Sequence, residues 1–132
     1  INIEETGEFV CNLATYDLSK PMNLSSAPVK ADIDEFDFSR LEAEPSRLVK
    51  PPRVKAAPIH LECTYFKTLE LPCNQANARN AIITGHVIGI NIREDILKNG
   101  IINTEAFKPL ARMGYMDYTY VENVFTLQRP KN

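Results

Sequence analysis

Apolar positions concentrate at residues 80–95, which read N-A-I-I-T-G-H-V-I-G-I-N-I-R-E-D. β-Branched residues dominate this run and polar residues close both ends, a pattern that predicts a strand. Taken at every second position, one face carries Ile82, Thr84, His86, Ile88, Ile90 and Ile92. The other carries Ala81, Ile83, Gly85, Val87, Gly89 and Asn91. A half-solvated strand would alternate apolar with polar residues, whereas here both faces are mostly apolar or glycine. The run is therefore predicted to be a central strand, with a core on one face and a close neighbour against the backbone at Gly85 and Gly89 on the other. His86 is the one ionisable group inside it.

Residues 59–71 alternate more cleanly. Ile59, Leu61, Cys63, Tyr65, Leu69 and Leu71 line one face, with Lys67 as the exception. His60, Glu62, Thr64, Thr68 and Glu70 line the other, with Phe66 among them. On this pattern His60 sits on the wetter face and receives no functional role. Residues 72–79 (P-C-N-Q-A-N-A-R) form a polar connection of hairpin length, so the two strands are predicted to pair antiparallel. A third strand at residues 8–15 sets Phe9, Cys11 and Leu13 against Val10, Asn12 and Ala14.

Helices are predicted to be short. Residues 2–6 read either as a last helical turn stopped by Gly7 or as a fresh start, since Asn2 and Glu5 have capping-box spacing. Residues 17–27 (D-L-S-K-P-M-N-L-S-S-A) predict a short helix or turn capped by Asp17 or Ser19, with Pro21 in its first turn. Asp32, Asp34, Glu35 and Asp37 interleave with Ile33, Phe36 and Phe38, the pattern of an amphipathic turn with its aromatics inward. Pro45, Pro51, Pro52 and Pro58, with Arg47, Lys50, Arg53 and Lys55, then make an extended basic surface loop. Asp95 to Lys98 form a brief turn closed by Asn99-Gly100, and Asn103 and Thr104 carry capping signals for a short helix within residues 101–111. A final strand is predicted over residues 118–127, ended by Pro130.

Composition narrows the function classes. The length of 132 residues implies one domain over residues 1–132. A net charge of -2 gives no electrostatic footprint for nucleic acid. No run reaches the roughly 18 apolar residues of a membrane span, and no signal-peptide pattern opens the chain. Cys11, Cys63 and Cys73 are an odd count in apolar strand contexts, which suits buried thiols in a reducing, cytoplasmic compartment. Their spacing matches no zinc pattern, the acidic run lacks the glycine of a calcium loop, and no metal site is expected. No acid–base triad is visible either. Together these observations predict a mainly β, antiparallel domain with a few short helices.

The residues themselves offer one polar cluster as a candidate for chemistry. Asn23, Ser25 and Ser26 form either a solvated helix end or a set of hydrogen-bonding groups facing a polar ligand edge. His86 stands out only as the ionisable group of its strand. Residues 112–120 (R-M-G-Y-M-D-Y-T-Y) mix one cation, a glycine and three tyrosines.

The order of several segments resembles one known family. E-T-G-E-F-V-C-N-L (residues 5–13) and P-M-N-L-S-S-A (21–27) are followed by D-E-F-D-F-S-R-L (34–41), P-S-R-L-V-K-P-P-R-V (45–54) and P-I-H-L-E-C (58–63). I-I-T-G-H-V-I-G-I-N-I (82–92), R-M-G-Y-M-D-Y (112–118) and a terminal R-P complete the series. Over essentially the whole chain this resembles the flavin reductase-like domain family, whose fold is the FMN-binding split β-barrel, antiparallel and Greek-key-like. Family members carry roughly another half-domain ahead of the position of Asn2, ending in a Lys-Asp-Thr-like segment near the FMN phosphate. The chain opens at Ile1 without that part, so it is expected to be the C-terminal portion of the barrel. Where the family often has Gly-Gly, this chain has Gly114-Tyr115, which adds bulk near the expected site mouth.

The resemblance implies an FMN-dependent oxidoreductase that takes hydride from NAD(P)H and passes electrons to an oxygenase or another acceptor. It places Asn23, Ser25 and Ser26 beside the flavin and Asn2 near its phosphate. His86 is implied at the flavin or nicotinamide pocket, polarising a ring carbonyl or holding a phosphate, with Arg112 and Tyr118 at the rim; the alternatives are a hydrogen-bonded core histidine and an ordinary loop before an edge strand. It also implies a homodimer with flavin near the interface. The alternatives are a non-catalytic flavin-binding or interaction domain, an inactive fragment, and a pyridoxamine-phosphate-oxidase-like split barrel.

Overall fold

The computed structural model describes residues 2–30, 33–74 and 78–130. Asp32 of the acidic run and the side chain of Asn2 lie outside the described part. In chain order the elements are α1 (Asn2–Thr6), β1 (Glu8–Asn12), α2 (Ser19–Ser25), α3 (Glu35–Ser39), β2 (Ala43–Glu44), β3 (Arg53–Val54), β4 (Ile59–Leu71) and β5 (Asn80–Ile92). There follow β6 (Leu97–Lys98), β7 (Ile101–Ile102), α4 (Thr104–Phe107), β8 (Leu110–Gly114) and β9 (Asp117–Tyr120).

The antiparallel sheet β1-β4-β5 organises the molecule. Its long hairpin runs from Ile59 opposite Ile92 to Leu71 opposite Asn80, as the alternation and the polar connection predict. Two bulges interrupt it. Ile88 is passed over between the pairs Glu62–Gly89 and Cys63–Val87, and Phe66 between Tyr65–Gly85 and Lys67–Thr84. A bulge adds one residue to one strand and so reverses which face the following side chains take. Gly85 and Gly89, which share a face in a regular strand, therefore face opposite sides. Phe9 packs on the first and Leu48 on the second. The close neighbours expected at both glycines are present, one on each face.

One face of this sheet is covered by residues 42–58, and polar groups anchor the cover. Glu62, with 0% of its surface exposed, accepts hydrogen bonds from the Arg47 amide at 3.1 Å, the Leu48 amide at 2.6 Å and Asn91 Nδ2 at 2.7 Å. Asn12 Oδ1 accepts from the Val54 amide at 2.8 Å, and His60 Nε2 lies 2.8 Å from the Val54 carbonyl. His60 and Glu62 are thus buried, which corrects the wet face assigned to them: their partners are backbone groups of the covering loop. The wetter end of β4 is instead the distal one, where Leu69 and Leu71 are exposed.

The position of β5 is also corrected. β4 occupies the middle of the sheet and β5 its edge, with Val87, Ile88 and Ile90 exposed, Ile90 to 63%. Smaller differences follow from local partners. The N-cap of α2 is Leu18, without a side-chain bond, so neither Asp17 nor Ser19 caps it. Asp34 does cap α3 through the Phe36 amide, but Phe38 stays exposed. Cys11 is exposed, Cys63 buried and Cys73 half-buried, all three as free thiols. The last strand ends at Tyr120, because no strand among the described residues pairs with residues 121–130. Asn99-Gly100 forms the turn between β6 and β7, with φ of 54° and 76°, the left-handed pair that an Asn-Gly hairpin turn adopts.

At the far end of the hairpin, Arg79 clamps α1 to the sheet. Its guanidinium donates to both oxygens of Glu4, at 2.7 and 2.9 Å, and its Nε to Glu70 at 2.9 Å. Thr68 donates to the same Glu4 carboxylate at 2.7 Å. Hydrogen bonds from Arg79 and then Thr68 hold the Glu4 carboxyl at about 2, below its ordinary 4.5.

Two predictions follow. Gly85→Ala places a Cβ 2.6 Å from Phe9 Cε1 and 2.7 Å from the Thr64 carbonyl oxygen. Overpacking of this kind destabilises by about 1–3 kcal/mol, measured as a lower urea midpoint; an unchanged midpoint would mean the Phe9 ring yields freely. The Glu4 clamp, with a depressed folded pKa, is fully present above pH 4.5 and is lost as pH falls towards about 2. The stability gap between the wild type and Glu4→Gln should therefore shrink over that window, and a gap constant down to pH 2 would refute the assignment.

Candidate functional site

The candidate site forms where β8 and β9 meet the start of α2. A short stitch of backbone hydrogen bonds fixes their relation. The Leu110 amide donates to the Ala14 carbonyl at 3.0 Å and the Tyr16 amide to the Lys108 carbonyl at 3.0 Å, around a bridge between Thr15 and Pro109. Lys108 has a positive φ of 46° that turns the chain from α4 into this bridge. Tyr16, in the 3-10 turn Tyr16–Leu18, is thereby brought to Tyr120, their ring centroids 4.5 Å apart and tilted by 45°. Lys108 Nζ lies 5.5 Å from the Tyr120 ring centroid.

On the hairpin itself Arg112 and Tyr118 are direct cross-strand partners. Arg112 Nη1 donates to the Tyr118 hydroxyl at 2.9 Å and Nη2 to the Tyr115 carbonyl at 2.6 Å, with the guanidinium carbon 5.4 Å from the Tyr118 ring. The bond to Tyr115 holds a turn in which Gly114 has φ of 141° and Tyr115 a left-handed φ of 49°. Tyrosine adopts that conformation rarely, and the side-chain-to-backbone bond gives a local reason for it here.

Between hairpin and helix lies an open cleft of about 580 Å³. Its less polar walls are Tyr16, Met22, Leu110, Met116 and Tyr120, and its polar edge is Ser19, Asn23, Ser26, Arg112, Tyr118 and Thr119. Four of the residues singled out from the sequence, Asn23, Ser26, Arg112 and Tyr118, therefore come together. Ser26 donates its hydroxyl to the Asn23 carbonyl at 2.7 Å. Ser25 turns to the other side of α2, donating to the Met22 carbonyl at 2.8 Å beside Leu13, Leu18 and Val54. His86 lies on β5 opposite Thr64, exposed, its ring edge-on to Phe66 at 5.1 Å, and does not line the cleft. Asn2 opens α1.

The lining of the cleft is mainly aromatic, thioether, hydroxyl and amide, with one guanidinium. Its lining contains no carboxylate, histidine, cysteine or lysine. Tyr120 donates to Glu122 at 2.8 Å, and this bond holds the phenol above its ordinary pKa. Aromatic and thioether walls with an amide, hydroxyls and one guanidinium suit a flat conjugated ring with polar edges. Among the described residues no three of His, Cys, Asp and Glu converge as metal ligands. Sequence reasoning missed Tyr16, Met22 and Tyr120, whose only signal was aromatic or thioether character near the ends of predicted elements.

The comparisons with known proteins bear on this arrangement. Residues 1–121 match the family model of the flavin reductase like domain. The chain belongs to that family. An uncharacterised protein of Deinococcus radiodurans is 33% identical over 133 aligned positions, covering 98% of this chain and 56% of its own length. Among solved structures, nitrilotriacetate monooxygenase component B from Bacillus cereus is 25% identical with a TM-score of 0.86, over 96% of this chain and 62% of that one. A Shewanella frigidimarina protein with a split barrel domain is 19% identical with a TM-score of 0.85, over 98% and 64%. This flavin reductase-like domain thus has the mainly β split-barrel fold expected of it. It spans about three fifths of the length of the relatives it matches. No helix among its described residues is long and apolar enough to cross a membrane.

Arg112→Lys tests the hairpin geometry, since one ammonium on a flexible stem cannot reproduce both guanidinium bonds. Amide hydrogen exchange at residues 114–117 should accelerate while β4 and β5 are unchanged; equal protection in the turn would show that Tyr115 needs no such anchor.

Proposed function

We propose that this flavin reductase-like domain binds FMN in the cleft between α2 and the β8–β9 hairpin and accepts hydride from NAD(P)H, delivering electrons to an oxygenase or another acceptor. The observation that carries the reading is the meeting of Asn23, Ser26, Arg112 and Tyr118 at one edge of an aromatic- and methionine-walled cleft. A flavin bound there supplies the electron-transfer chemistry, which leaves the protein to position and desolvate the ring. Tyr16 and Tyr120, already in ring contact, form the face for stacking. Arg112, oriented by Tyr118 and the Tyr115 carbonyl, keeps further N–H donors for a ring carbonyl or a phosphate. Asn23 and Ser26 supply the remaining polar edge.

The other assignments belong to this reading as proposals. Asn2 is taken to lie near the phosphate. Ser25, bonded back to its own helix, acts by shaping α2. His86 meets nicotinamide or a second subunit on the open face of β5. The exposed apolar residues of that strand support a homodimer, the free thiols support a cytoplasmic location, and the likeness to a monooxygenase component supports an oxygenase as acceptor.

The test is a flavin titration followed by anaerobic addition of NADH or NADPH. Bound FMN should show a perturbed visible band that either or both nucleotides bleach, and Arg112→Ala should weaken FMN binding about tenfold, the scale of one hydrogen bond to a charged group. FMN bound but bleached by neither nucleotide would make the domain an electron carrier. No binding at all would overturn the reading.

A further inference from the structure

We infer that Arg47, Arg53 and Lys55 of the loop covering β4, together with Arg93 at the end of β5, build a phosphate-binding site distinct from the cleft. A cavity of about 390 Å³ lies there, lined by these four cations and one carboxylate, Glu44. It shares no residue with the cleft. The inference does not depend on flavin binding.

Three of the four cations are held in place by partners that leave donors over. Arg53, with 13% of its side chain exposed, uses Nε to reach Glu44 at 2.8 Å, so its two terminal nitrogens stay available. Arg93 donates Nε to Asp95 at 2.5 Å and Nη1 weakly to the Ala56 carbonyl at 3.4 Å. Lys55 pairs with Glu42. Arg47 has no carboxylate partner among the described residues. Four cations thus stand against three carboxylates, and the unmatched charge is the guanidinium with the most freedom to engage a ligand.

The frame is rigid. The Arg47 and Leu48 amides are fixed by buried Glu62, the Lys50 amide by Glu8 at 2.8 Å, and the Ser46 hydroxyl by the Pro51 carbonyl at 2.6 Å. Val54, between Arg53 and Lys55, is held through its amide by Asn12 and through its carbonyl by His60. A loop pinned at this many points keeps its backbone in place, while three of the cations remain bonded to carboxylates and Arg47 stays unpaired among the described residues. The ordering entropy of the backbone is already spent before a ligand arrives, which leaves the Arg47 side chain to order on binding. Guanidinium forks arriving from separate segments match the several acceptor oxygens of a tetrahedral phosphate better than a planar carboxylate.

The experiment is an NMR titration of the labelled protein at low salt with inorganic phosphate, followed by FMN, riboflavin, NADPH and NADH. Phosphate should shift the Arg47, Arg53 and Arg93 side-chain resonances, and Arg47→Ala should raise its Kd about tenfold, the scale of one charged hydrogen bond. Arg47 is exposed and only its backbone anchors the loop, so the variant should keep its urea midpoint; Arg47→Gln serves if it does not. A loss for FMN but not riboflavin would assign the site to the flavin phosphate. A loss for NADPH but not NADH would assign it to the nucleotide 2′-phosphate, and a loss for both nucleotides to their pyrophosphate. Shifts confined to Arg112, no shifts at millimolar phosphate, or an unchanged Kd in both Arg47→Ala and Arg53→Ala would overturn the proposal. Failure of every flavin to bind would refute the cleft reading while leaving the inorganic phosphate result to decide this one.

Discussion

A single carboxylate removed from water sets the arrangement of the rest. Glu62 stands in the middle strand with none of its surface exposed, a position that by itself disfavours the charged form. Amide donors from Arg47 and Leu48 and the Asn91 side chain outweigh that burial and hold the carboxyl below its ordinary pKa. An ionised carboxylate only accepts hydrogen bonds, so it matches a ring of N–H donors that a neutral side chain would satisfy in part. The bonds join the covering loop, β4 and β5 at one point. Where the loop lies follows from them, and with it the packing of Leu48 on Gly89 and the presentation of the basic side chains.

The second constraint is topological. The two bulges let one long hairpin carry different neighbours on different faces along its length: Phe9 on one side at Gly85, Leu48 on the other at Gly89. The hairpin β8–β9 is attached elsewhere, through the Thr15–Pro109 bridge, so the cleft and the basic cavity are built from separate parts of the frame.

What was legible in the sequence follows from which signals are local. The extents of β4 and β5, their antiparallel pairing and the Asn99-Gly100 turn could be read because each is written in adjacent residues. The faces of β5 could not, since a bulge changes the parity of alternation without a residue type of its own. His60 and Glu62 read as wet because their partners are backbone groups distant in sequence, which carry no side-chain signature. On the polar edge of the cleft, Asn23 and Ser26 were legible as a polar cluster, and Arg112 and Tyr118 through the family resemblance. Its tyrosine walls were not, because Tyr16 and Tyr120 meet only once the Thr15–Pro109 bridge has formed.

The edge position of β5 has a consequence for how the protein is handled. Thirteen residues, five of them isoleucine, present one row of backbone N–H and C=O groups with no partner strand among the described residues. An edge of that length and character templates strand addition by any similar chain. Colloidal behaviour and fold stability are therefore separate properties here. A substitution on the outward side of β5 can leave the unfolding midpoint untouched and still decide whether concentrated protein stays in solution.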